Sequence, residues 1–222
     1  MAGDLKMHKH FAIIGAGGHA KVVVDALLTS GDEVLGLYDD NPALLGVEPI
    51  PGVKVLGDTK DLPGRMEMWK GMVILAVGEN RMRFRLSQQF SVTYGVACAP
   101  SAVLGRGVRI GKGSMILPSA TVNIDTAIGE HVILNTSCSV DHDCVIGDFV
   151  HIGPGAHLGG GVVIGEGTFL GIGSSVIPGI RIGRWSVIGA GAVVTKDLPD
   201  NCTAVGVPAK VIKTREKGWH LA

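Results

Sequence analysis

From Leu104 to Val194 every sixth residue is aliphatic: Leu104, Ile110, Ile116, Val122, Ile128, Leu134, Val140, Ile146, Ile152, Leu158, Ile164, Leu170, Val176, Ile182, Ile188 and Val194. No insertion breaks the count. Turns of an ordinary β-sandwich fall at uneven spacings of about eight to twelve residues, which sixteen matches in succession argue against. A fixed six-residue period with Gly after the aliphatic residue, here at 105, 111, 129, 147, 153, 159, 165, 171, 183 and 189, is the hexapeptide pattern of a parallel β-helix. The fourth residue after each aliphatic is usually small or β-branched, as in Ser114, Ala120, Thr126, Cys138, Cys144, Ala156 and Ser174. This suits a narrow prism in which one large side chain points inward from each short strand and a small one fills the corner. Three hexads make one triangular coil of about eighteen residues, giving roughly five coils that bury their inner faces only against one another.

The 222 residues have room for one or two domains. Hydrophobic residues make up 46% and aromatics only 5%, so the core is built from Val, Ile, Leu and Ala. A formal charge of zero gives no basic excess for nucleic acid and no acidic excess for disorder. No apolar run reaches the roughly eighteen residues of a membrane span, and the polar start from Met1 to His10 lacks a signal-peptide centre. A cytoplasmic protein with no membrane partner is expected. Cys98, Cys138, Cys144 and Cys202 show no CxxC pairing, so reduced thiols are expected, with Cys138 and Cys144 in corner core positions.

Ahead of the ladder, His10–Ile14 reads as a buried strand, followed by Gly15-Ala-Gly-Gly-His-Ala20 and an apolar helix from Lys21 to Leu28. Strand, glycine turn and helix is the context in which a GxGxxA loop brings backbone and helix-start N–H groups to a phosphate. A second strand, Val34–Tyr38, ends in Asp39-Asp40, where an acidic residue meets a ribose or base in a nucleotide fold. Strands at Val53–Leu56 and Met72–Val77 follow, then Gly78-Glu-Asn80 and a basic helix with Arg81, Arg83 and Arg85. Some ninety residues make only half a dinucleotide fold, which favours a nucleotide-sugar site over NAD. A glycine turn kept for packing, and His19 as a helix cap, are the structural alternatives. After Val194 comes Ala204-Val-Gly-Val-Pro-Ala-Lys210, with Pro208 fixing a turn and Lys210 either at an anionic group or simply solvated.

Most outward positions in the repeat carry Gly, Ser, Thr or a lone charge, and Asp141-His142-Asp143 departs from this. A His flanked by carboxylates is oriented and made more basic by one of them, which equips it as a general base near neutral pH. The alternative is a surface His in a polar corner. His151, nine residues on, should face a different edge, and His131 and His157 are further outward candidates. No pair has metal-motif spacing, so no metal is expected.

These segments together resemble the bacterial nucleotide-sugar acetyltransferases: Ile14-Gly-Ala-Gly-Gly-His-Ala-Lys-Val22, Asp39-Asp40, Asn135-Thr-Ser-Cys-Ser-Val-Asp-His-Asp143 and Gly206-Val-Pro-Ala-Lys210. That family includes perosamine N-acetyltransferases, UDP-linked 4-amino-sugar N-acetyltransferases and sialic acid O-acetyltransferases. The resemblance implies a Rossmann-like nucleotide-sugar domain over residues 1–95, a left-handed β-helix over 96–213 and a polar tail over 214–222. It implies acetyl-CoA as cosubstrate, a nucleotide-linked amino sugar as acceptor, and a homotrimer with active sites between subunits. His142 would be the catalytic base and Asp143 the carboxylate orienting it, where some relatives carry Glu. His151, Gly160, Ile172 and Lys210 would meet acetyl-CoA, Gly160 through its N–H. Gly17, Gly18, His19, Asp39 and Asp40 would hold the nucleotide, and Asn135 the sugar. The rival functions are O-acetylation of a sialic acid and a non-catalytic β-helix scaffold.

Overall fold

The computed structural model describes residues 9–221, so the polar start before Lys9 and the final Ala222 lie outside the described residues. The N-terminal elements are β1 (His10–Ile14), α1 (Gly18–Thr29), β2 (Glu33–Tyr38), β3 (Val55–Gly57), α2 (Leu62–Trp69), β4 (Met72–Leu75) and α3 (Asn80–Gln89). The strands form one parallel sheet in the order β3-β2-β1-β4, with Ile14 paired to Tyr38 on one side and Leu75 on the other. Phe11 to Ile14 are all buried, the continuous apolar run of a strand covered on both faces. In α1 the buried residues Ala20, Val23, Val24 and Leu27 recur at helical spacing and form its inward stripe. The strand expected at Val53–Leu56 lies at Val55–Gly57, the one expected at Met72–Val77 stops at Leu75, and α2 has no counterpart in the sequence reading.

The ladder folds as read. Sixteen two-residue strands run from Val103–Leu104 to Val193–Val194, and the periodic aliphatic is the second residue of each. Each strand as far as Ser175–Val176 pairs in parallel with the one eighteen residues on, as Ile133 with His151 and Leu134 with Ile152. The strands stack into three sheets. We call the first face the one holding Ile128 and Ile146, the second Leu134 and Ile152, and the third Val140 and Leu158. The coil is left-handed, against the usual hand of parallel crossovers; its crossovers are four-residue corners rather than helices. At every corner from Gly107 to Gly191 the third residue after the aliphatic takes positive φ. Gly supplies it in many corners, and Asp125 and Asp143 are of the non-glycine types best suited to it. The inward aliphatics from Ile116 onward are buried, each contributing about 1.5–3 kcal/mol. Leu104, with no coil beneath it, is 41% exposed.

The N-terminal sheet packs on the second face, where Met115, Leu117 and Ile133 share a core with Phe11, Ile13 and Val23. Strand Cys202–Val205 extends that face, and Lys210–Thr214 pairs antiparallel with it. The C-terminal segment then folds back: Trp219 lies under the guanidinium groups of Arg81 and Arg215, and His220 stacks on Trp185 at 4.0 Å.

Candidate active site

His142 stands on the corner joining the third face to the first, between strands Ser139–Val140 and Val145–Ile146. This corner is held on several sides. From the coil below, Asn123 Nδ2 donates to Asp141 Oδ1 at 2.8 Å, and the buried Thr126 hydroxyl donates to Asp141 O and accepts from Cys144 N. From the coil above, Gly161 N donates to His142 O at 2.9 Å. Asp143 takes positive φ and turns its carboxylate back onto its neighbour, with Oδ2 2.7 Å from His142 Nδ1.

A carboxylate only accepts, so Nδ1 carries the proton and Nε2 presents its lone pair. The Asp143 hydrogen bond, followed by the Asp141 charge, raises the imidazole above its ordinary pKa of 6.5. Asp141 in turn is lowered by the Asn123 amide and the His142 N–H. Above the ring lies Gly160, where a Cβ would sit 2.7 Å from His142 Cε1 and Nε2, so only glycine leaves the ring its place. Among the described residues the Gly160 N–H has no protein partner. Burial raises the thiols of Cys138, to about 12, and Cys144, which keeps both protonated and out of nucleophilic chemistry.

A second cluster forms where the N-terminal sheet meets the second face. The strand order reverses between β1 and β4, so the crevice of this α/β sheet opens between the glycine loop and Gly78. Gly15 is needed for the turn itself, with φ +105° and a would-be Cβ 3.0 Å from Ala76 O. Gly17 and Gly18 meet nothing within 4 Å, so packing does not require them and the space above them is open. Asp39 anchors this loop by accepting from Ala16 N at 2.9 Å, and Asp40 accepts from Thr59 N and Oγ1. Both carboxylates thus already serve internal bonds.

His151 belongs to this second cluster. Its Nδ1 donates to Gly78 O at 3.1 Å and its Nε2 accepts from Asn135 Nδ2 at 3.0 Å, which fixes a neutral tautomer. Burial drives its pKa down to about 3, and that of His19, whose ring centroid is 6.2 Å away, to about 4. His131, expected to point outward, is covered instead: it is 2% exposed, stacked on Phe149 and edge-on to Tyr94. His157 is exposed and pairs with Ser139 Oγ at 2.8 Å. Ile172 is 60% exposed on the corner joining the second face to the third, and Lys210 is exposed at the start of its strand.

The fold therefore brings His142, Asp143 and Gly160 together on one corner, and His19, Asn135 and His151 together on another side. It does not join the two groups within one chain. Arg83 escaped the sequence reading as a binding element. It is fully buried and donates to His131 O, Val77 O and Phe149 O at 2.8 Å and to Asn80 Oδ1 at 2.9 Å. Burial pushes its pKa down to about 9, still cationic at neutral pH, and its charge helps keep the three histidines neutral. The available signal was the spacing of Asn80, Arg83 and Leu86, which share the buried side of α3. Among the described residues no group of three or more His, Cys, Asp or Glu is placed to hold a metal, and no helix is long and apolar enough to cross a membrane.

Residues 10–90 match the family described as the PglD N-terminal domain, and residues 125–160 and 161–196 match the bacterial transferase hexapeptide repeats. PerB from Caulobacter crescentus, solved with CoA and GDP-perosamine, is 41% identical with a TM-score of 0.84, over 92% of this chain and 97% of that one. The acetyltransferase domain of PglB from Neisseria gonorrhoeae, solved with acetyl coenzyme A, is 34% identical with a TM-score of 0.85, over 92% of this chain and all of that one. The uncharacterized protein L142 of Acanthamoeba polyphaga mimivirus is 34% identical over 112 residues, a stretch covering 47% of this chain and 22% of that protein.

Proposed function

The chain belongs to the hexapeptide-repeat acetyltransferases with a PglD-type N-terminal domain, the family of perosamine N-acetyltransferase, and from that we propose that it acetylates the 4-amino group of a nucleotide-linked 4-amino-4,6-dideoxy sugar. Acetyl-CoA is the donor, and GDP-perosamine the favoured acceptor because PerB was solved with it. The carrying observation is the corner itself: His142 with Nδ1 tied to Asp143, Nε2 free as a base, and Gly160, whose N–H has no protein partner among the described residues, against the ring.

The sugar amine attacks the thioester carbonyl. A C–N bond forms, the tetrahedral oxyanion takes the Gly160 N–H, and His142 Nε2 accepts the amine's proton. The C–S bond then breaks and the CoA sulfur takes the proton up. One oxyanion donor is worth about 2.7–4 kcal/mol, and holding both substrates in line about 7–11 kcal/mol more. No acyl-enzyme is needed. Residues 1–95 bind the nucleotide sugar, 96–213 bind acetyl-CoA and carry the chemistry, and 214–222 form the C-terminal segment.

The separation of the two clusters supports a homotrimer in which one chain's crevice faces its neighbour's His142 corner. Light scattering near 69 kDa, three 23.0 kDa chains, supports it, and a monomer at micromolar concentration overturns it. Acetyl-CoA and nucleotide sugars are cytoplasmic metabolites, which sets the reaction there, and its product suits surface polysaccharide such as O-antigen. To test the activity, the protein is mixed with acetyl-CoA and GDP-, UDP- and dTDP-linked 4-amino sugars or free sialic acid, and free thiol is followed. Thiol release with a nucleotide-linked amino sugar is expected. Release only with sialic acid, or with nothing, overturns the reading.

A further inference from the structure

Two carboxylates flank His142, and only one of them touches its ring. Asp143 holds Nδ1, whereas Asp141 Oδ1 accepts from the His142 backbone N–H at 2.8 Å and from Asn123 Nδ2 at 2.8 Å. Asn123 lies eighteen residues before Asp141 and so occupies the same corner position one coil below. Nothing in the coil's own hydrogen bonding requires this pair. The backbone of the corner is already carried by Asp141 N to Leu158 O, Asp143 N to Ile124 O and Gly161 N to His142 O.

We propose that Asn123 and Asp141 are positioning residues for the acetyl transfer: the Asn123 amide pins the Asp141 carboxylate, and Asp141 fixes the His142 backbone while keeping a negative charge beside the imidazole. Asp143 alone, exposed and on a flexible carboxylate arm, sets the tautomer but not the placement of the residue that bears the ring. The Asp141 bond to the His142 N–H stops the corner from rotating the ring off Gly160. A fixed charge is also a stronger influence than one free to turn into solvent, and the amide at 2.8 Å removes that freedom. Gly160 lies against the ring and Gly161 bonds the His142 carbonyl from above, both uncharged, and the further carboxylate on this edge, Asp125, stands one coil beneath Asp143. Asp141 is therefore the second carboxylate acting on His142 and the one that the fold holds still.

This rests on His142 being the base, so the test has an arm that needs no turnover. The His142 imidazole is titrated by NMR in protein carrying labelled histidine, its signal assigned with His142→Gln. Asp141→Asn keeps an oxygen for the backbone N–H but loses the charge, and Asn123→Ala keeps the charge but frees it. The His142 titration should move to lower pH in Asp141→Asn, and the acid limb of kcat/KM should move with it. Asn123→Ala should lower kcat roughly two- to tenfold, the weight of one ordinary hydrogen bond, with KM for acetyl-CoA unchanged. Asn123→Ser, which retains a donor, should recover part of that loss. An unshifted His142 titration in Asp141→Asn together with wild-type kcat in Asn123→Ala overturns the inference. Wild-type protein inactive on every nucleotide-linked amino sugar would instead overturn the activity, and the NMR titration would still decide the positioning role.

Discussion

Replacing Arg83 should separate the two halves of this molecule energetically. Its guanidinium makes four hydrogen bonds at 2.8–2.9 Å, to the corner carbonyls of His131 and Phe149 on successive coils and to Val77 O and Asn80 Oδ1 of the N-terminal part. Among the described residues no carboxylate is in ion-pair contact with it, so its charge is met directly by dipoles, with the Glu79 carboxylate acting from farther off. In Arg83→Met the side chain keeps most of its volume but strands these acceptors in a buried place. At about 1 kcal/mol net for each of the four bonds, with water reaching the freed acceptors as the two halves part, the loss should be about 3–5 kcal/mol. It should fall on the contact between the N-terminal sheet and the prism, since the ladder's bonds do not involve Arg83. Urea unfolding followed by hydrogen exchange should show β1 to α3 and the Val77–Asn80 loop opening early while the coils stay protected. A loss under about 1 kcal/mol, or uniform loss of protection in the coils, would refute the rivet.

Other outcomes follow from single contacts. Gly160→Ala should displace His142, because the new Cβ would lie 2.7 Å from its ring, and should lower kcat at least tenfold with the coil's circular dichroism unchanged; near-wild-type kcat would contradict it. Gly15→Ala should cost roughly 1–2 kcal/mol because φ is +105°, whereas Gly18→Ala should leave stability alone and raise KM for the nucleotide sugar; equal thermal shifts would contradict the division. His19, His131 and His151 have folded values of about 4, 4 and 3, below the ordinary 6.5, so the unfolded chain takes up protons first as pH falls. The resulting penalty is small above about pH 7.5 and grows as pH falls through 6.5 toward about 4, so Tm should drop between about pH 7.5 and 5. A Tm flat over that interval would contradict neutral burial of these rings.

The prism was legible because its burial is one-dimensional: each short strand owns one inward position, so the period of six appears undiluted from Leu104 to Val194. The corner of His142 was legible for the same reason, since an unbroken ladder locates every outward residue. The docking of the N-terminal part was not. Arg83 bonds to carbonyls 48 and 66 residues away, and carbonyls leave no mark in a sequence. His131 lies at an outward corner position and is nevertheless buried, because Tyr94 and α3 close over a ring already stacked on Phe149 of the next coil. Trp219 and His220 likewise sit in a polar segment whose attachment depends on rings and guanidinium groups far back in the chain.

The central claim is tested most directly by the identity of the product. The protein is incubated with acetyl-CoA and GDP-perosamine, and the sugar is examined by mass spectrometry and NMR, with His142→Ala in parallel. The account predicts one acetyl group on the 4-amino nitrogen and a rate about 10²- to 10⁴-fold lower in His142→Ala. An unmodified nucleotide sugar, or equal rates of acetylation with and without the imidazole, would contradict it.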